Sequence, residues 1–315
     1  MDDSSSTTSL PGAGGATGRT WTLRCAGPDG THEAFVAEAG ATLLGYRHEG
    51  RWCTEPAPAD GPVPAGSGQL LVPWPNRVRD GRWLLDGQVQ QLALSEPARG
   101  NASHGLLRHT AYRCVEEHPD RVVLAAEVFP QSGYPFRLTH TVTWSVSADG
   151  LTATHEVLHH GPERAPVAIG AHPYLRVGDV PVAACTLAVE ASSVITVDDR
   201  LNPVGVEAVA GVHDWRGGAL VADRRVDHGY TDLAAEPDGL VRHRLTAPDG
   251  RAVTLWAEPV FGVVQLFLTD RLPGRELALA VEPMTAPADA FNSGTGLTWL
   301  ETGESLVARW GVSPS

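Results

Sequence analysis

His155, Glu156 and His159 spell H-E-x-x-H within "THEVLHHG" (154–161). On a helix this spacing sets two imidazoles on one face to hold zinc, with the glutamate as general base. A second set of chemically able residues is more dispersed. Glu282 closes the apolar run "LALAV" (277–281) and is followed at once by Pro283. A carboxylate at such a strand end is partly desolvated, which raises its pKa and suits it to act as a base. His104 lies in "GNASHGLLRHTAY" (100–112), among small residues that let a ligand approach the backbone. His172 lies in "AIGAHPYLRVG" (168–178), between apolar neighbours that would hold an imidazole rigidly. Trp74, Asn76 and Arg77 stand together in "VPWPNRVRDGRW" (72–83), and Asp227 in "RRVDHGYTDL" (224–233). Aromatic faces and guanidinium forks suit polyhydroxyl ligands, the ring covering C–H faces and the fork donating to oxygens. Singly, each has a plainer reading: an exposed loop arginine, a satisfied structural histidine, a strand-end salt bridge for Glu282.

The zinc reading depends on a helix, and the surroundings oppose one. "LTATHEVLHH" runs between the turn "ADG" and Gly161-Pro162, and it carries the β-branched Thr152, Thr154 and Val157. On a strand, His155 and His159 share a face but stand about 13 Å apart at roughly 3.3 Å per residue. Zinc–nitrogen bonds of about 2.1 Å cannot span that. Pro162 also occupies the place of the glycine in the extended zinc-protease motif. The segment reads as a strand with exposed polar side chains, and no metal is expected.

The elements that must position the dispersed set are strands. Runs such as "RVVLAAEVF" (121–129), "FRLTHTVTWSVS" (136–147) and "AVTLWAEP" (252–259) are punctuated by "PDG", "RDG" and "ADG" turns. "THTVTWSVS" alternates polar and apolar, as a half-buried strand does. The 34 Gly and 24 Pro oppose long helices. No βαβ alternation, linker or repeat is visible. The expected fold is all-β, one large antiparallel β-sandwich over residues 20–315. Residues 1–19, rich in Ser, Thr, Gly and Ala, read as a disordered tail.

Composition removes several function classes. The formal net charge is −13 and no basic stripe is present, which opposes nucleic-acid binding. All 24 basic residues are Arg, so Schiff-base lysines and the P-loop lysine are excluded. The four cysteines are scattered without C-x-x-C, as expected of free thiols in a reducing compartment. The acidic N-terminus has no apolar core of a secretory signal, and no apolar run reaches membrane-spanning length. A cytoplasmic protein without membrane partners is expected; its oligomeric state is left open, monomer or homodimer.

Together the clusters resemble the aldose 1-epimerase (galactose mutarotase) family from about Trp21 to the C-terminus. Asn76-Arg77 resembles the family's N-R motif, "NASHG" its N-x-x-H-G motif, "HPY" (172–174) its second histidine motif and "VEPMT" its catalytic glutamate motif. "VDDRLNPVG" and "HDWRGG" fall in the family's order, and the "EPMTAPADAFNSG" wording is similar to a bacterial subgroup. Leu175 stands where Phe is common, and "NPVG" replaces a P-T-G loop, which puts the sugar preference in question.

The resemblance implies a galactose mutarotase-like supersandwich that interconverts α and β anomers of a hexose without cofactor. It assigns Glu282 as base at the anomeric hydroxyl and His172 as acid at the ring oxygen. Arg77, His104, Asp227 and Asn76 would bind ring hydroxyls. His104 is also placed to assist protonation, and Trp74 or Tyr174 to stack on the sugar. His172 should then be protonated at the start, with a pKa near or above neutral, helped by a nearby carboxylate. Two alternatives stay open: a hexose-6-phosphate mutarotase, which needs a cationic clamp that the many arginines would supply, and a non-catalytic carbohydrate-binding sandwich.

Overall fold

A computed structural model describes residues 15–315. The expected all-β architecture is present. A nine-stranded and an eight-stranded antiparallel sheet, with a smaller four-stranded sheet near the N-terminus, enclose one large core. Among the described residues one α-helix, the four-residue Ala290–Ser293, and four 3-10 turns interrupt the β structure. Among the described residues no helix is long and apolar enough to cross a membrane.

The alternation in the sequence becomes the alternation of faces. In Leu138–Ser147 every second residue is buried, and Trp144 fills the core against Trp310. The expected tail divides in two. Residues 1–14 lie outside the described residues, whereas Thr17 is buried and donates its hydroxyl to the Ala59 carbonyl.

Gly150–His159 is a ten-residue strand of the nine-stranded sheet, so the H-E-x-x-H residues do not share a helical face. Their exposure differs from expectation, because alternation turns Leu151, Ala153, His155, Val157 and His159 inward. Trp310 Nε1 donates to His155 Nε2 (2.9 Å). His155 Nδ1 therefore carries the proton and donates to His140 Nε2 (3.0 Å). His140 Nδ1 in turn faces the Tyr112 hydroxyl at 2.7 Å. Burial pushes the His155 pKa down to about 3 and that of His140 well below its usual value, so both are held neutral. Glu156 points to the exposed side and accepts from Ser305.

The eight-stranded sheet carries the remaining polar residues. Its central strand Ala278–Met284 is buried at every position, between Val263–Thr269 on one side and Tyr174–Leu175 with Gly170–Ala171 on the other. Leu279 and Val281 point into the main core, as do Val264 and Leu266 next door. Their alternates, Ala280 and Glu282 beside Phe267 and Gln265, face the other way. Glu282 is thus an interior strand residue rather than the end of a run. The strand continues through Pro283, which pairs with Val264.

Candidate active site

The outer face of the eight-stranded sheet forms the floor of an open cleft of about 240 Å³. Across three neighbouring strands the register aligns Gly229, Gln265 and Glu282, and one step along, Asp227, Phe267 and Ala280. Gln265 Nε2 donates to Asp227 Oδ1 (2.7 Å), fixing that carboxylate at the cleft edge. Loops from the first third of the chain bring Asn76, Arg77, Glu96, His104 and Arg108 over this floor.

His172 enters between the short strands Gly170–Ala171 and Tyr174–Leu175, both paired with the Glu282 strand. Its Nε2 lies 3.4 Å from Glu282 Oε1, at 5% and 2% residue exposure. The imidazole is held between the Tyr174 ring, stacked at 5.2 Å, and Gly66. A side chain on Gly66, whose φ is +75°, would press on the ring at 3.2 Å. Glu282 Oε2 is buried and has no hydrogen-bond partner among the described residues.

The electrostatics of this pair are unusual. Burial pushes the Glu282 carboxyl well above its ordinary range; Asp227 adds to the shift and Arg77 opposes it. Burial lowers His172 to about 4, with the positive fields of Arg108 and Arg77 adding. The direction differs from the expected protonated histidine. Both shifts favour the neutral forms, a protonated Glu282 carboxyl beside an uncharged His172 imidazole.

The loop residues are fixed with equal care. His104 and Asn76 both adopt left-handed backbone (φ +62° and +54°) and face each other. His104 N–H donates to the Asn76 carbonyl (2.8 Å), and Asn76 N–H donates back to His104 Nδ1 (3.2 Å). With Nδ1 accepting, Nε2 must carry the proton of the neutral ring. Burial keeps His104 well below its usual pKa, so it is a neutral donor. Gly105 follows because a Cβ there would strike the Val72 carbonyl at 2.1 Å. Arg77 is gripped by Glu96 through two bonds of 2.8 and 3.1 Å and donates its remaining arm to Asn76 Oδ1 (3.1 Å). Burial disfavours the Arg77 charge, yet Glu96, Asp227 and Glu282 outweigh it and hold the guanidinium above its usual range. The segment after Glu282 locks this loop: Asp289 N–H donates to the Arg77 carbonyl, and Asp289 Oδ1 accepts from Arg79 N–H (2.9 Å).

The aldose 1-epimerase family model matches residues 26–313. The chain belongs to the aldose 1-epimerase family. Among its curated relatives is the uncharacterized protein YihR of Escherichia coli K12, 31% identical over 279 residues, 87% of this chain and 88% of that one. A galactose mutarotase-like protein of Clostridium acetobutylicum has a similar fold, with a TM-score of 0.79 at 14% identity, covering 94% of this chain and 98% of the other. The GalM/aldose epimerase homologue of C. elegans matches with a TM-score of 0.77 at 18% identity, covering 94% and 99%.

Of the residues expected in an aldose 1-epimerase site, Glu282, His172, His104, Arg77, Asn76 and Asp227 line one cleft. The two aromatics do not. Trp74 is 3% exposed, packed on Tyr134 and Phe291 in the core. Tyr174 is 1% exposed, bonded to the Ala65 carbonyl, and stacks on His172 from behind. The aromatic that lines the cleft is Phe267. Gln265 and Phe267 were findable by the logic that selects Glu282, since Gln265 is the one polar residue inside "VVQLFL" (263–268). Glu96, Arg99, Arg108 and Arg271 also line the cleft, and no local signal in the sequence marks them.

Elsewhere, a cavity of about 340 Å³ is lined by His48, Trp52, Cys53 and Arg251. Its one side-chain carboxylate, Asp29, is solvent-exposed, so it lacks a desolvated acid–base pair. Among the described residues no three His, Cys, Asp or Glu side chains are grouped to hold a metal ion.

Proposed function

We propose that the cleft interconverts the α and β anomers of a hexose by acid–base ring opening and closure. The observation that carries this reading is the buried contact of Glu282 Oε1 and His172 Nε2 at 3.4 Å, beneath a cleft with fixed sugar-binding donors. Mutarotation moves one proton off the anomeric hydroxyl and one onto the ring oxygen. It needs a base and an acid side by side, which is what a pair sharing a single proton supplies.

The sugar enters with Phe267 beneath a C–H face and Arg77, His104 Nε2 and Asp227 on its hydroxyls. Its own hydroxyls solvate the pair, and the proton crosses from Glu282 to His172. Glu282 then accepts the anomeric proton while His172 protonates the ring oxygen, opening the ring. The products of that step are a neutral glutamic acid and a neutral imidazole, the resting form of the pair. That form therefore complements the open-chain aldehyde, and closure on the other face reverses the transfers. His104 serves as a hydrogen-bond donor rather than a second acid.

Polarimetry on freshly dissolved α-D-glucose and α-D-galactose tests the proposal. The protein should speed the approach to equilibrium well above the spontaneous rate. Sugar binding without faster exchange would favour a carbohydrate-binding module instead.

A further inference from the structure

The cleft leaves one motif of the sequence unused, "VDDRLNPVG" (197–205). None of its residues lines the cleft, and it leaves the eight-stranded sheet where the strand Ala191–Val197 ends. It closes on itself: Asp198 Oδ1 accepts from the Arg200 and Asn202 N–H groups (both 2.9 Å), with Leu201 left-handed at φ +60°. From this fixed turn the half-buried Arg200 side chain reaches a different part of the fold. Its Nε donates to the Arg99 carbonyl (2.7 Å). Its Nη2 meets the Gly100 carbonyl (3.0 Å), Asn101 Oδ1 (3.3 Å) and Asp80 Oδ1 (2.6 Å). Asn101 Nδ2 donates back to the Arg200 carbonyl (3.0 Å). Asn101 is fully buried and is the asparagine of "NASHG", so that residue serves this contact and does not line the cleft.

What the contact holds is a two-stranded ribbon, Arg77–Arg79 with Asn101–Ser103, which is part of neither large sheet. The register sets Arg77 opposite Ser103 and Arg79 opposite Asn101. One end of the ribbon thus carries Asn76 and Arg77 beside His104, over the cleft, and the segment grips the other end. Arg79 adds to the grip, donating to Asp198 Oδ2 (3.2 Å) and the Pro203 carbonyl (3.0 Å). Glu282 and His172 belong to the floor and are placed by the sheet. The two halves of the site are therefore built separately, and their spacing depends on ties between ribbon and sheet. Asp289 holds the Arg77 strand, and Arg200 holds the strand that leads to His104.

We propose that Arg200 is a positioning residue: by clasping residues 99–101 to the end of the strand Ala191–Val197, it sets His104 and Arg77 at their height over the Glu282–His172 pair. It touches no substrate. This rests on the mutarotase reading of the cleft. Loss of the clasp loosens groups that bind ring hydroxyls in ground and transition state alike, while the acid–base pair keeps its geometry. Arg200→Ala should therefore raise KM for glucose or galactose about three- to tenfold and keep kcat within about twofold. A role in folding alone would lower the apparent kcat through a smaller active fraction and leave KM unchanged. Arg200→Lys restores a charge beside Asp80 but not the fork on Arg99 and Gly100, so it should recover only part of the loss. Arg242→Ala breaks an ion pair with Asp238 on the nine-stranded sheet and should leave KM and kcat unchanged. Amide hydrogen exchange on the same variants reads the clasp without any sugar. In Arg200→Ala residues 77–79 and 101–105 should exchange about tenfold faster, and residues 278–284 should not. Unchanged exchange in the ribbon, or an unchanged KM in an active enzyme, overturns the proposal. If the wild type exchanges no anomers, the mutarotase reading fails, and faster exchange in the ribbon alone still supports the clasp.

Discussion

Replacing Glu282 with glutamine separates catalysis from stability in a way the buried pair dictates. The amide matches the carboxyl in shape and fills the same space 3.4 Å from His172. It cannot accept a proton, so the rate should fall by about 10²–10⁴, equivalent to about 3–5 kcal/mol at 1.36 kcal/mol per decade. The stability change has the opposite sign. Glu282 has a folded pKa raised by burial. Below the unfolded value of about 4.5 both states hold the proton and nothing is lost. Above it the unfolded chain releases a proton that the folded chain keeps, so stability declines as pH rises, by at most about 1.4 kcal/mol per unit. Glutamine has no such dependence. The melting temperature of Glu282→Gln minus that of the wild type should therefore grow from pH 5 upward until the pH reaches the raised folded value. At about 2–3 °C per kcal/mol for a domain of this size, that is up to about 3–4 °C per pH unit. Polarimetry gives the rate, and thermal melts across pH give the difference. A variant with wild-type rate refutes Glu282 as the base. A melting difference that stays flat or turns negative refutes a resting proton on the carboxyl.

Three further outcomes follow from the same geometry. The active form holds one proton on the pair, and His172 takes a second only near pH 4; the acid limb of kcat/KM should lie well below the ordinary histidine value of about 6.5, and a limb centred near 6.5 would contradict this. Phe267→Ala removes the aromatic floor and should raise KM about three- to tenfold with little change in kcat; an unchanged KM would free the ring of that role. His155 and His140 are buried neutral, so the unfolded chain takes up protons below about pH 6.5 that the folded chain refuses, and each costs up to about 1.4 kcal/mol of stability per unit of further acidification. His155→Leu should lower the melting temperature at pH 7 by orphaning the Trp310 N–H, yet flatten the acid decline; an equally steep decline would show that these imidazoles do not set it.

The sequence spoke clearly where chemistry contradicts its surroundings. A carboxylate inside "ALAVEPM" stands out even beside its plainer reading as a strand-end salt bridge, and Gln265 in "VVQLFL", absent from the expected set, carries the same signal. Faces were harder to read. Trp74 has the right type beside Asn76 and Arg77, but residue type does not say which way a side chain turns, and the ring is claimed by Tyr134 and Phe291. Pro283 suggested a strand end, whereas a proline ends a strand only where the ladder needs its N–H. His155 and His159 were expected at the surface because they are polar; partners on both ring nitrogens permit the burial of His155, whereas His159 accepts only from the Gly161 N–H and its Nδ1 has no partner among the described residues. The His172 charge was beyond reach from sequence, since it depends on the sum of burial and two arginines from distant loops.

Glu282 sits on the strand Ala278–Met284 and His172 on the link between two short strands paired with it, whereas Arg108 and Arg271 sit on connections outside the sheet. On the proposed reading, the acid–base pair and the loop residues around the sugar belong to separate parts of the chain. Insertions or exchanges in those two connections would then reshape the cleft edge while the distance between Glu282 and His172 stays fixed by the pairing beneath them. Such a division would let one scaffold vary the ligand it admits without disturbing the pair beneath it.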